Sequence, residues 1–113
     1  MNTIRQGDVI LIPRATLPQG ATIIPDEGHR IVLMHGEATG HAHAIYYSPE
    51  EIVDTAIRKA QMYAHGGSRF LKVKERVTLA HEEHSPHVVP PGIYEIPVQV
   101  DMTLERLPRR VAD

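Results

Sequence analysis

The chain has 113 residues, a hydrophobic fraction of 42% and a formal net charge of −2 at pH 7. This length suits one domain with a modest core, and the slight acidity argues against a general nucleic-acid or membrane-surface binder, which is usually basic. The chain contains no cysteine, which excludes disulfides and thiolate metal ligands.

The N-terminal residues and the hydropathy pattern predict a cytoplasmic protein. Residues 2–8 lack the apolar stretch of a signal peptide, and no segment approaches the roughly 18 apolar residues of a membrane span. We expect residues 1–106 to form a single β-rich domain. Residues 107–113 are expected to form a polar tail of the kind that is often mobile.

Short β-branched runs bounded by turn residues predict strands in the first half of the chain. The first is Arg5 to Pro13, which carries four successive apolar residues before its closing proline. Glycine and proline separate the next predicted strands, which span 21–24, 30–34 and 41–47.

A helix start is predicted at Ser48. Ser48 is suited to the N-cap, Pro49 to the first helical position, and Glu51 to the third position of a capping box. Apolar residues then recur at helical spacing up to Tyr63, and Gly66-Gly67 is a double stop signal. We therefore predict one α-helix over about residues 49–65.

Strands dominate again after this helix. Alternation or apolar runs predict strands at 70–74, 77–81 and 93–102, and Pro97 marks an edge or a bulge in the last of them. About seven short strands and one helix, without βαβ alternation, favour a mainly β fold. The expected architecture is a small antiparallel β-barrel or sandwich with one α-helix.

Two histidine clusters are the feature most indicative of function. His41 and His43 are two residues apart and would point to the same face of a strand. His81 shares its strand parity with Leu79, whereas His84 joins the same site only if the chain turns after His81. Neutral imidazole is a common metal ligand, and we predict His41, His43, His81 and His84 as metal ligands.

Carboxylates beside these clusters are candidates for acid–base chemistry. Glu82 and Glu83 lie between the histidines of the second cluster, and we predict them as the catalytic pair from which a general base would come. The roles of His35 and His87 stay open. The ion is one divalent transition metal, because imidazole ligands without thiolate do not distinguish Zn from Fe, Mn, Ni or Cu.

The spacing of these histidines resembles that of cupins, small β-barrels that hold metal through a His-x-His pair and a later histidine. Gly36 precedes His41-Ala42-His43, and His81 corresponds to the later ligand. The resemblance implies a metal site at a barrel mouth. The chain departs from the cupin pattern after His43, where residues 44–47 carry no glutamate, and Pro90-Pro91-Gly92 follows the second cluster instead of preceding it.

Two functional hypotheses follow from these clusters. The first is a metal-dependent hydrolase that acts on a small polar substrate, with an open coordination position beside a pocket. The alternative is a non-catalytic binding or oligomerisation module with a structural metal or a metal-free histidine network. A small-molecule substrate belongs to the first hypothesis and a homo-oligomer is compatible with either, whereas nucleic acid and membrane partners are not expected.

Overall fold

A computed structural model describes the backbone of residues 2–36, 41–97, 100–102 and 108–110, and the side chains of 2–36 and 41–97. The described chain is mainly β with one α-helix, as the sequence predicts, although that helix is short. All of its strand pairs are antiparallel. The strands are β1 (Ile4–Gln6), β2 (Val9–Arg14), β3 (Thr22–Ile23), β4 (Arg30–His35), β5 (Ala42–Tyr46), β6 (Ala60–His65), β7 (Ser68–Val73), β8 (Val77–Leu79), β9 (His87–Val89), β10 (Gly92–Ile96), β11 (Val100–Met102) and β12 (Pro108–Arg110).

Six of these strands form the main sheet, in the order β1-β2-β10-β7-β6-β3. Its edge strands β1 and β3 do not pair with each other within the described residues, so the sheet is open there. The closed barrel that the cupin resemblance implies is therefore not seen. The pairs β4-β5, β8-β9 and β11-β12 form three further two-stranded sheets.

The core packs the main sheet against the β4-β5 and β8-β9 pairs. Its largest fully buried side chains include Leu11 of β2, Tyr94 of β10 and Leu71 of β7 from the sheet, with Leu33 and Leu79 from the smaller pairs. Aliphatic residues dominate this core, as the aromatic fraction of 4% requires. The Tyr94 hydroxyl is accommodated by a 2.6 Å hydrogen bond that it donates to the carbonyl of Pro90.

The predicted helix begins where expected but is much shorter. Its capping box at Ser48 is formed, with Pro49 at the start, yet the α-helix covers only Pro49–Val53 and a 3-10 turn covers Thr55–Ile57. The prediction of a helix over 49–65 is wrong beyond residue 53. Residues 60–65 form β6, and Gly66-Gly67, both with positive φ, make the two-residue turn of the β6-β7 hairpin.

The second difference lies at the N-terminus, where the predicted strand of residues 5–13 is a hairpin. Gly7 and Asp8 form its turn, with Gly7 at a φ of 56°, and Gln6 pairs with Val9. This turn places Gln6 at the end of β1, where its side chain is buried. The predicted boundary between residues 106 and 107 lies outside the described residues.

One short pairing between the smaller sheets determines where the histidines lie. Ala44 of β5 and Ala80, just after β8, form an antiparallel bridge in which each N–H donates to the other carbonyl at 2.9 Å. This bridge links β5 to the segment that carries the second histidine cluster. No helix in the described part of the chain is long and apolar enough to cross a membrane.

Candidate metal centre

The Ala44–Ala80 bridge brings the two histidine clusters together. In an antiparallel register that pairs residue 44 with residue 80, the next opposed positions are His43 with His81. One step further, the N–H of Ala42 donates to the Glu82 carboxylate at 3.0 Å. The clusters are 38 residues apart in the chain but adjacent in space because of this register.

Four imidazoles pack against one another beside the Ala44–Ala80 bridge. The His43 and His81 ring centroids are 4.3 Å apart, and those of His81 and His84 are 4.6 Å apart. The His43 and His84 rings are 5.6 Å apart, and His41 meets His81 edge-on at 6.0 Å. All four predicted ligands thus lie in one cluster, with His84 reaching it because the chain turns after His81.

Two overlapping sets of potential ligand atoms are present. His43, His81 and His84 each offer a nitrogen, and the three nitrogens lie within 4.8 Å of one another. His41, His81 and Glu82 form a second set by the same measure. We call these the inner set and the outer set; His81 is common to both. The inner set has the all-imidazole composition that suits a borderline metal ion.

Gln6 holds His43 in one tautomer. His43 is fully buried, and its Nδ1 lies 2.8 Å from the amide oxygen of Gln6. The Gln6 amide nitrogen donates to the carbonyls of Leu79 and Ser85, at 2.9 Å each, which fixes the orientation of the amide. The amide oxygen can only accept, so Nδ1 carries the proton and the lone pair of neutral His43 is on Nε2.

His81 is held in the opposite tautomer. Its Nδ1 accepts a 2.9 Å hydrogen bond from the backbone N–H of Glu83, so the proton of the neutral ring lies on Nε2. His81 can bind an ion only if this arrangement changes. Either the ion displaces the Glu83 N–H from Nδ1, or the proton moves from Nε2 to Nδ1 and the same hydrogen bond is lost.

The two predicted catalytic carboxylates differ in their surroundings. The hydrogen bond from the Ala42 N–H is the main reason that the pKa of Glu82 is lowered, and nearby His41 and His81 lower it further. A lowered pKa makes Glu82 a weaker base. The Glu83 carboxylate is 65% exposed and lies 3.9 Å from His41 Nδ1.

The residues of the cluster differ in their exposure to solvent. His43 is fully buried, and the Nε2 atoms of His43 and His81 are both buried. The His41 side chain is 28% exposed, and Glu82 is exposed. Solvent reaches the cluster at His41 and Glu82, and His84 of the inner set is also of intermediate burial.

The remaining histidine candidates lie outside the cluster. His35 is exposed and its Nε2 lies 3.0 Å from Glu27 on the surface, and His87 is exposed on β9. A cleft of about 400 Å³ extends to Ala80, the residue before His81, and its lining includes Lys59 and Arg76 but none of the four histidines.

Gln6 is the residue that the sequence analysis missed. A single glutamine carries no pattern of its own, and it is 37 positions from the histidine that it contacts. The only local sign is the Gly7-Asp8 turn directly after it, which predicts a chain reversal but does not indicate what a preceding side chain contacts.

One comparison with known proteins gives a match. A family model described as "Domain of unknown function (DUF8820)" matches residues 5–99. The chain belongs to the DUF8820 family. The DUF8820 match covers Gln6 and both histidine clusters. Neither a curated protein nor a solved structure matches the chain significantly.

Proposed function

We propose that this DUF8820 domain binds one divalent transition-metal ion through His43, His81 and His84. The observation that carries the proposal is the inner set itself: three imidazole nitrogens within 4.8 Å of one another, supplied by β5 and by the segment after β8. Imidazole nitrogens lie about 2.0–2.1 Å from a zinc ion, which places tetrahedral ligand nitrogens about 3.3–3.4 Å apart. The nitrogens of this set must therefore approach one another by up to about 1.5 Å when they bind the ion.

The hydrogen bonds around His43 also favour this function. A metal-binding histidine usually donates its other ring N–H to a carbonyl or carboxylate oxygen, which orients the ring. The Gln6 amide oxygen is placed in that way toward His43 Nδ1, inside the core. We take zinc as the reference ion, since imidazole ligands accept Zn, Ni, Cu, Fe or Mn alike in the absence of other constraints.

A histidine network without metal is the competing function. The hydrogen bond from the Glu83 N–H to His81 Nδ1 favours it, because that bond belongs to a neutral ring that carries no ion. In this alternative the four imidazoles stabilise the contact between β5 and the segment after β8, or an interface between two copies of the chain. The two functions differ in whether the protein takes up metal.

Elemental analysis of untagged protein, purified without nickel resin and then reconstituted, tests the proposal. We expect about one equivalent of bound metal for a single site of this kind. His84→Ala should abolish uptake, whereas His87→Ala should not, since His87 comes from the same sequence cluster but lies outside the site. Less than about 0.2 equivalents in the wild type with Zn, Fe, Mn, Ni and Cu would overturn the proposal.

Metal-dependent hydrolysis of a small polar substrate is a second candidate function. Three imidazole ligands leave one position open in a tetrahedral site, where a bound zinc ion would make water more acidic. The cleft that extends to Ala80, the residue before His81, has Lys59 and Arg76 in its lining, and we take it as the candidate space for a substrate. Glu83 is the better candidate base of the predicted pair, because Glu82 is engaged by the Ala42 N–H and has a lowered pKa.

Hydrolysis can be tested separately from binding. Zinc-loaded wild type is assayed with nitrophenyl esters and nitrophenyl phosphates, beside His84→Ala and Glu83→Gln. Activity that His84→Ala removes, and that Glu83→Gln lowers without loss of zinc, supports the hydrolase. If every sample hydrolyses these substrates no faster than free zinc does, the domain binds metal without catalysing hydrolysis.

A further inference from the structure

We infer that the outer set, formed by His41, His81 and Glu82, is a second position for the same metal ion, through which the ion reaches the inner set. This inference rests on the proposed function and adds a route to it. The outer set has a different composition from the inner set, since it combines two imidazoles with a carboxylate.

A backbone hydrogen bond holds the Glu82 carboxylate in the outer set. Its Oε1 accepts from the Ala42 N–H at 3.0 Å, so the side chain is held beside β5. A charged oxygen ligand at the surface is suited to capture a hydrated cation.

His81 is the connection between the two positions, and its chemistry makes them alternatives. A neutral imidazole has one nitrogen with a lone pair, because the other nitrogen carries the proton. His81 can therefore bind one ion at a time, in the outer set or in the inner set. Transfer between the two positions exchanges His41 and Glu82 for His43 and His84, and His81 is the ligand common to both.

The burial gradient gives the direction of this exchange. His43 is fully buried and His81 Nε2 is buried, whereas Glu82 is exposed and His41 is 28% exposed. The inner set contains the fully buried ring that Gln6 holds in place, with His81 and His84 at intermediate burial, whereas the outer set contains an exposed carboxylate and no fully buried ring. An ion that arrives from solvent can therefore be bound by Glu82 and His41 before it reaches His43, and the set with the buried ring is the more stable position.

An intermediate binding position on the uptake route affects the rates of zinc uptake and release but not the affinity of the final site. Weakening it raises the barrier for uptake and for release by the same amount, so both rates fall and the dissociation constant stays constant. A permanent ligand behaves differently, because its loss accelerates release and weakens affinity. These two behaviours separate the outer position from additional ligands of the inner site.

The experiment is stopped-flow zinc uptake and release against a chromophoric chelator, with zinc stoichiometry determined in parallel. The variants are Glu82→Gln, which keeps an acceptor for the Ala42 N–H, and His41→Gln. Glu50→Gln on the α-helix is the control, since it removes the same charge from another exposed glutamate. We expect both outer variants to slow uptake and release by at least about tenfold, because each removes one ligand of the outer position and about 1.4 kcal/mol of lost stabilisation there changes a rate tenfold.

The outcomes distinguish this inference from the proposed function. One zinc per chain in all variants, with slow exchange only in the outer variants, supports the outer position. The inference is overturned if Glu82→Gln and His41→Gln exchange zinc at wild-type rates, or if Glu50→Gln slows exchange equally. It is also overturned if the outer variants bind zinc more weakly and release it faster, or if the wild type binds two zinc ions at once. Failure of the wild type to bind zinc overturns the proposed function itself.

Discussion

The Nδ1 atom of His43 lies 2.8 Å from the amide oxygen of Gln6, and both side chains are buried. The same amide donates to the carbonyls of Leu79 and Ser85, which flank the second histidine cluster. Gln6 therefore connects β1 to both halves of the candidate site. It determines the tautomer of His43, and it restrains the segment that carries His81 and His84.

Removing the Gln6 amide should weaken both the fold and the site. Gln6→Leu leaves His43 Nδ1 and two carbonyls without this partner, and buried polar groups left in that way cost about 1–3 kcal/mol each at most sites. Zinc affinity should fall by about 10–100-fold, as it does when a partner of a metal-binding histidine is lost. Chemical denaturation without metal and a chelator competition measure the two effects.

Gln6→Glu is the matched variant for this prediction. Its carboxylate still accepts from His43 Nδ1 but cannot donate to Leu79 and Ser85. We expect it to retain more zinc affinity than Gln6→Leu. Equal zinc affinity in wild type and Gln6→Leu would contradict a role of Gln6 in orienting His43.

Zinc binding should release the backbone N–H of Glu83. In the structure this N–H donates to His81 Nδ1 at 2.9 Å, and coordination through either nitrogen of His81 breaks that bond. We expect the Glu83 amide to exchange with solvent faster in the zinc-loaded protein, while the core amide of Leu71 exchanges more slowly or at the same rate. Hydrogen exchange followed by NMR measures both, and an unchanged Glu83 amide would show that His81 is not a ligand.

Metal should stabilise the folded domain by an amount that grows with the logarithm of the free metal concentration above the dissociation constant. Binding to the folded state alone contributes about 2.7 kcal/mol at a free concentration 100 times the dissociation constant. Thermal denaturation with and without zinc should show this increase in wild type and not in His84→Ala. Chelator should reverse it, and equal stabilisation of the two proteins would place the ion elsewhere.

Glu51 should make the stability of the fold dependent on pH in the acid range. Burial raises the pKa of Glu51, but hydrogen bonds from the N–H groups of Ser48 and Lys59 outweigh it, so that the pKa is lowered. A pKa lower in the folded state than in the unfolded state stabilises the fold above the unfolded pKa, about 4.3 for glutamate. This contribution is lost as the pH falls through the folded pKa.

The variant Glu51→Gln tests that contribution. It should lower the free energy of unfolding at pH 7 and flatten its decline below about pH 4.3. Urea denaturation of metal-free protein at a series of pH values measures the effect. Glu50→Gln, on the same helix but exposed, is the control, and parallel pH profiles for wild type and Glu51→Gln would contradict the prediction.

The Tyr94 hydroxyl should contribute to stability and not to the site. Tyr94 is fully buried on β10, burial raises the pKa of its hydroxyl, and the hydroxyl donates to the Pro90 carbonyl at 2.6 Å. Tyr94→Phe should cost about 1 kcal/mol, the net value of a typical hydrogen bond, with zinc stoichiometry unchanged. A loss of zinc binding in this variant would show that the core and the site are coupled.

The sequence predicted the elements that depend on neighbouring residues. The capping box from Ser48 to Glu51 formed because its hydrogen bonds join residues three apart. The extent of the helix was predicted wrongly, because Gly66-Gly67 fits a helix stop and a hairpin turn equally well in a local reading. Pairing of β6 with β7 selected the hairpin.

The sequence by itself determined which imidazoles and carboxylates are available, and that those of each cluster lie near one another. Only the tertiary structure decided that the clusters meet, through the Ala44–Ala80 bridge, and that Gln6 is the partner of His43. The reason is that local spacing follows from backbone geometry, whereas contacts between distant segments depend on strand register and on the burial of the whole core.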